Sequence, residues 1–127
     1  MCLPPYGETM SLLSWTDVAE RAVGTLSKHE RESAAVYLDE AEIPAGTELE
    51  LDHHKVISAG PSAVAFVDPT PAANWGHPSR YLLIDRQTGE VQSFDAQFPP
   101  FLHGASATLR VIWKGEHAPE WALAVRR

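Results

Sequence analysis

The chain of 127 residues contains one cysteine, Cys2, which excludes an intramolecular disulfide and any cysteine-built zinc or iron–sulfur centre. A reducing compartment suits such a chain. Long apolar runs are also missing. Nothing approaches the roughly 18 consecutive apolar residues of a membrane helix, and the N-terminus lacks the basic-then-apolar order of a secretory signal. The expected address is cytoplasmic, without membrane contact. Basic charge is scarce: ten Lys and Arg face 17 Asp and Glu, for a net charge of −7. Phosphate backbones would repel such a surface, so no nucleic-acid partner is expected. There is no Walker A pattern, no Gly-x-Gly-x-x-Gly and no Gly-x-Ser-x-Gly, which disfavours nucleotide-dependent and serine-elbow chemistry. No cofactor is expected.

What is present is the composition of a folded globule, with 44% hydrophobic and 21% charged residues, at a length that suits one domain. That domain is expected over 14–127, behind a loose N-terminal lead, 1–13. The lead begins Cys2-Leu3-Pro4-Pro5, a stiff stretch in which a nucleophilic Cys2 is disfavoured, and Met10-Ser11 offers an alternative start. Ser14 with Asp17 has the spacing of a helix N-cap. Trp15, Val18, Ala19, Ala22, Val23 and Leu26 then recur at helical intervals, predicting a helix that loosens towards Ser27 after Gly24.

Residues 31–41 fit both periods. Ala34, Tyr37, Leu38 and Ala41 make a helical face, and their Glu and Ala content favours a second helix ended by Pro44 and Gly46. Beyond Gly46 the period is 2. Leu49 and Leu51 alternate with acids and lead through His53-His54 to Val56 and Ile57, and Ala59-Gly60-Pro61-Ser62 turns the chain into Ala63–Val67, predicting a hairpin between these two strands. Tyr81–Ile84 and Glu90–Phe94 predict another around Asp85–Gly89, with Gly89 closing its loop. Further strands are expected over Thr108–Trp113 and around Trp121, Leu123 and Val125. Helices followed by strands without βαβ alternation predict an α+β fold: one or two N-terminal helices packed on a curved, mainly antiparallel sheet of five or six strands.

The loop from Asp68 to Arg80 holds three prolines, Gly76, and the amide, indole, imidazole and guanidinium of Asn74, Trp75, His77 and Arg80. Prolines lower the entropy lost on ordering a loop, so these four are the candidate binding residues, expected at the surface or a cleft rim. The plainer alternative makes Trp75 a plug at the sheet edge and pairs Arg80 with Asp68 or Asp85. Eight acids from Glu30 to Asp52, with only Arg31 among them, form a second candidate surface for a basic partner, or simply a solvated face.

The six histidines raise the question of a metal. His53 and His54, as strand neighbours, would point to opposite faces and could share an ion only across a bulge, and no helical or finger spacing is present, so no metal is expected. Phe98, Phe101 and Leu102 are expected to be buried as a lid on the core, the alternative being an exposed apolar patch suited to a partner protein. The leading function is a small acidic non-enzymatic protein-interaction domain of inhibitor, immunity or accessory-partner type. The alternatives are a hydrolase-type enzyme whose site gathers His77, Asp68, Asn74 and Arg80, with His53 or His54, and a small-ligand-binding domain.

Overall fold

The computed structural model describes residues 11–73, 76–100 and 107–119. Helix α1 spans Trp15–Gly24. The Ser14 hydroxyl caps it by accepting the Asp17 N–H at 3.1 Å, satisfying one of the free amides of the first turn. Val18, Ala22 and Leu26 are buried, each worth up to about 1.5–3 kcal/mol for the larger side chains. The helix stops at Gly24, with Thr25 as its C-cap. Helix α2, Lys28–Ser33, opens on a capping box in which Ser27 and Glu30 exchange side-chain-to-backbone bonds.

The helix expected over 31–41 is a strand along most of its length. β1 runs Ala35–Ile43 and lies between two neighbours, pairing antiparallel with β4 (Ser62–Asp68) and β7 (Leu109–Lys114). Both faces of β1 are covered, so Ala34 through Leu38 are buried without a break. A strand buried on both sides shows no alternation, and its Glu and Ala content then imitates a helix. The hairpin expected between 49–57 and 63–67 does not form either. Instead β2 (Glu48–Leu51) pairs with β3 (His54–Ile57) as a separate two-stranded sheet. Its turn includes Asp52 at φ 59°, a left-handed conformation that an aspartate tolerates better than most residues.

β5 (Ser79–Asp85) and β6 (Val91–Ala96) form the expected hairpin, and Gly89 takes φ 81° in its loop. Among the described residues the main sheet has five antiparallel strands in the order β6-β5-β4-β1-β7. The fold is α+β with both helices N-terminal to the strands, and the seven described strands divide between two sheets. The strand expected around Trp121, Leu123 and Val125 lies outside the described residues.

Two cores result. On one face Val18 and Ala22 of α1, with Leu26 just beyond it, pack against Val36, Leu38, Ala65, Val67, Leu82 and Ile84. On the other, Leu51 of the small hairpin, with Leu49 and Val56, covers Tyr37, Phe66 and Tyr81. Alternation along each strand sends successive side chains to opposite layers. Leu13, placed by sequence in the loose lead, donates its N–H to the Arg86 carbonyl, and the Arg86 guanidinium donates to the Leu13 carbonyl and stacks 4.0 Å from the Trp15 ring centroid. Among the described residues no helix is long and apolar enough to cross a membrane.

Candidate functional site

The 68–80 connection is anchored where it leaves and re-joins the sheet. Asp68, the last residue of β4, is 1% exposed. Its Oδ1 accepts the Thr70 N–H at 3.1 Å and lies 2.7 Å from His77 Nε2. Desolvation of this carboxyl raises its pKa, and the hydrogen bond and charge interaction with His77 act in the opposite direction. The Ala73 N–H bonds the Thr70 carbonyl, and Gly76, at φ 96°, donates to the Gln97 carbonyl at the end of β6. The loop is thus tied to itself and to the neighbouring strand.

Arg80 makes the second anchor, and neither of the acids expected from sequence is its partner. It forms a two-pronged pair with Glu30 of α2, at 2.8 and 3.0 Å. The two side chains are 19% and 18% exposed. This bond to Arg80 is the leading reason the Glu30 carboxyl is held down at about 2. Because Glu30 is depressed in the folded state, its contribution is complete above pH 4.5 and is lost as pH falls towards 2. Allowing for partial solvent screening, Glu30→Gln is expected to lower stability by about 2 kcal/mol at neutral pH and to flatten the acid limb of a pH–stability curve. Equal acid sensitivity in the variant and the parent would contradict the assignment.

Of the four candidate binding residues, two are therefore described, and both are engaged in pairs. His77 has its side chain 10% exposed against Asp68, and Arg80 is turned to α2. Asn74 and Trp75 lie outside the described residues. The structure brings His77 together with Asp68 and sends Arg80 to the helix-bearing face, since Leu82 and Ile84, which alternate with it, belong to that core.

His53 and His54 do not diverge as strand neighbours would, because His53 sits in the β2–β3 turn. Their rings are 4.2 Å apart, and His54 packs on Phe94. His54 Nε2 donates to the Asp95 carbonyl at 2.8 Å, a role that places its proton on that nitrogen. Asp52 Oδ2 accepts the Gln97 N–H at 2.9 Å. Between this turn and the start of β5 lies an open cleft of about 540 Å³, lined by Asp52, His53, Pro78, Ser79, Gln97 and Phe98 among others. Phe98, expected in the core, is 40% exposed, because its carbonyl accepts the Tyr81 hydroxyl and its ring borders the cleft. Burial, together with the nearby Asp52 charge, raises the Tyr81 phenol well above its usual range. Phe101 and Leu102 lie outside the described residues. No group of three histidine, cysteine or acidic side chains among the described residues is arranged to hold a metal ion.

Glu30, Asp52 and Gln97 were not singled out as parts of this site by the sequence. Their partners are 50 and 45 residues distant, and no local pattern encodes such contacts. No family model matches the chain, nor does any curated protein or solved structure. Function is therefore argued from the chemistry of the site.

Proposed function

We propose that the protein is a small acidic, non-enzymatic interaction domain of inhibitor, immunity or accessory-partner type, acting in the cytoplasm and contacting another protein through its 68–80 loop. One observation carries this reading: a proline-rich connection is pinned by Asp68, His77, Gly76 and Arg80. Ordering a loop before contact removes an entropy cost from binding, and Asn74 and Trp75 lie between those pins in sequence. His77 and Arg80 then serve by holding the loop.

The hydrolase alternative is favoured by one feature, the Asp68 and His77 pair. Among the described residues the nearby Ser79 hydroxyl is buried and donates to the Ala96 carbonyl, which disfavours it as a nucleophile for that pair. The cleft beside the loop is the feature that favours a small-ligand site. To test the interaction reading, a photo-reactive residue is placed at position 75 in producing cells. A single cross-linked protein is expected there, and none from the same residue at Glu20 on the exposed face of α1. Cross-links only from Glu20 would contradict the proposal.

A further inference from the structure

Among the described residues the main sheet ends on β7 and β6, and these two edges are not equivalent. At one edge, β7 carries Arg110 and Lys114, and its pairing with β1 shifts register between Val36 and Tyr37. Basic side chains and a bulge are the usual means by which an edge strand is kept from pairing with another chain. At the other edge, β6 reads Val91-Gln92-Ser93-Phe94-Asp95-Ala96. It pairs with β5 without a break in register and contains neither proline nor lysine.

The direction of the β6 backbone groups follows from the bonds around it. Glu90 accepts the Asp85 N–H across the hairpin. The Asp95 carbonyl, by contrast, meets His54, the Gln97 N–H meets Asp52, and the Gln97 carbonyl meets Gly76. Antiparallel pairing alternates inward and outward groups, so Val91, Ser93, Asp95 and Gln97 aim away from β5. Among the described residues, the turn at Asp52–His54 and Gly76 cap this edge at its far end alone. Among the described residues no hydrogen bond reaches the outward N–H and C=O of Val91 and Ser93. Ser93 is exposed, and the cleft beside Gln97 and Phe98 continues the line of the strand.

We propose that β6 is a docking edge at which an extended, basic segment of a partner protein adds as a further strand, its end running towards the cleft at Asp52 and His53. Outward backbone groups supply the hydrogen bonds of such an addition, and flanking side chains supply its selectivity. Charge selects the occupant. Residues 87–98 include Glu90 and Asp95 and no Lys or Arg, and Arg21, which donates to the Gly89 carbonyl, lies at the hairpin end of the edge, so a segment carrying Lys or Arg is attracted along Val91–Asp95. A second copy would set the same acids near each other on a chain of net charge −7. This inference rests on the interaction reading and names the chemistry of the partner.

The probe is a displayed library of random peptides selected on the full chain. Enriched peptides are expected to combine Lys or Arg with β-branched residues. A synthetic copy should slow amide exchange at Val91 and Ser93. Binding should weaken at least tenfold in Ser93→Pro, which removes an outward N–H and leaves the ladder to β5 intact. Ser93→Lys, a milder guard on an exposed position, should give the same loss by charge and keep the fold if the proline disturbs it. Failure to enrich any peptide, enrichment of acidic peptides, binding by both Ser93 variants as tight as by the parent, or dimerisation through β6 in the absence of peptide would each overturn the proposal. Binding that depends on Trp75 but not on Ser93 removes strand addition alone; binding that depends on Ser93 but not on Trp75 keeps it and removes the loop contact.

Discussion

Gly115→Ala is expected to destabilise the fold by about 3 kcal/mol or more, the upper range for overpacking a close contact. Gly115 follows β7 at the junction of α2 with β1, where its N–H donates to the Ala34 carbonyl at 2.8 Å. Two residues on, His117 donates to the Glu32 carbonyl. A Cβ at position 115 would lie 2.6 Å from the Ser33 nitrogen and closer still to the Glu32 carbonyl group. These are backbone atoms of a helix end, which cannot swing aside as a side-chain tip can. The end of β7 must then withdraw from α2, taking with it the bonds at Ala34 and Glu32. A drop in Tm on the order of 10 °C or more in thermal unfolding would bear this out. A change within about 0.5 kcal/mol, the scale of ordinary surface substitutions, would show that the junction adapts.

Asp68→Leu is expected to cost about 2–3 kcal/mol, because it removes the acceptor shared by the Thr70 N–H and His77 in nearly buried surroundings. The loss should be local as well as global. Amide exchange at Thr70, Ala73 and Gly76 should accelerate relative to Val36 and Phe66, which sit in the sheet core. The pH dependence of this group also runs opposite to that of Glu30. A carboxyl whose pKa is raised on folding binds its proton more readily in the folded state, so its own contribution improves as pH falls into the window above 3.8. Uniform acceleration of all amides, with no excess in the loop, would contradict the role of Asp68 as a pin.

The elements legible in the sequence were those with one wet face and a local stop signal. Val18, Ala22 and Leu26 recur at helical spacing behind Ser14, and Gly89 closes a hairpin whose strands pair as expected. β1 was illegible for a definite physical reason: α1 lies over one of its faces and the β2–β3 hairpin over the other. Nothing between Ala34 and Leu38 needed to be polar, so the alternation that marks a strand was erased. The β2–β3 turn was missed because it is made by Asp52 at positive φ and His53, in place of the Gly-containing pair that usually signals a tight hairpin.

At the site, the 68–80 loop stood out through its composition, and its neighbours did not. Arg80 is drawn to Glu30 because both lie on the helix-bearing face, a fact that depends on the register of β5 against β4 and the position of α2. Likewise, Asp52 and His54 reach β6 only once the small hairpin has folded across the sheet. Such contacts follow from layer order, and layer order is a property of the assembled cores.

In the proposed function the loop binds a protein partner and its anchoring residues hold it ready. The most direct test measures two quantities on Trp75→Ala: affinity for the protein cross-linked at that position, and free energy of unfolding. Affinity should fall by about 2 kcal/mol or more, the scale of an aromatic hot spot, with a smaller change in stability. A stability loss of about 3–5 kcal/mol with unaltered affinity in the folded fraction would make Trp75 a core plug and contradict the account.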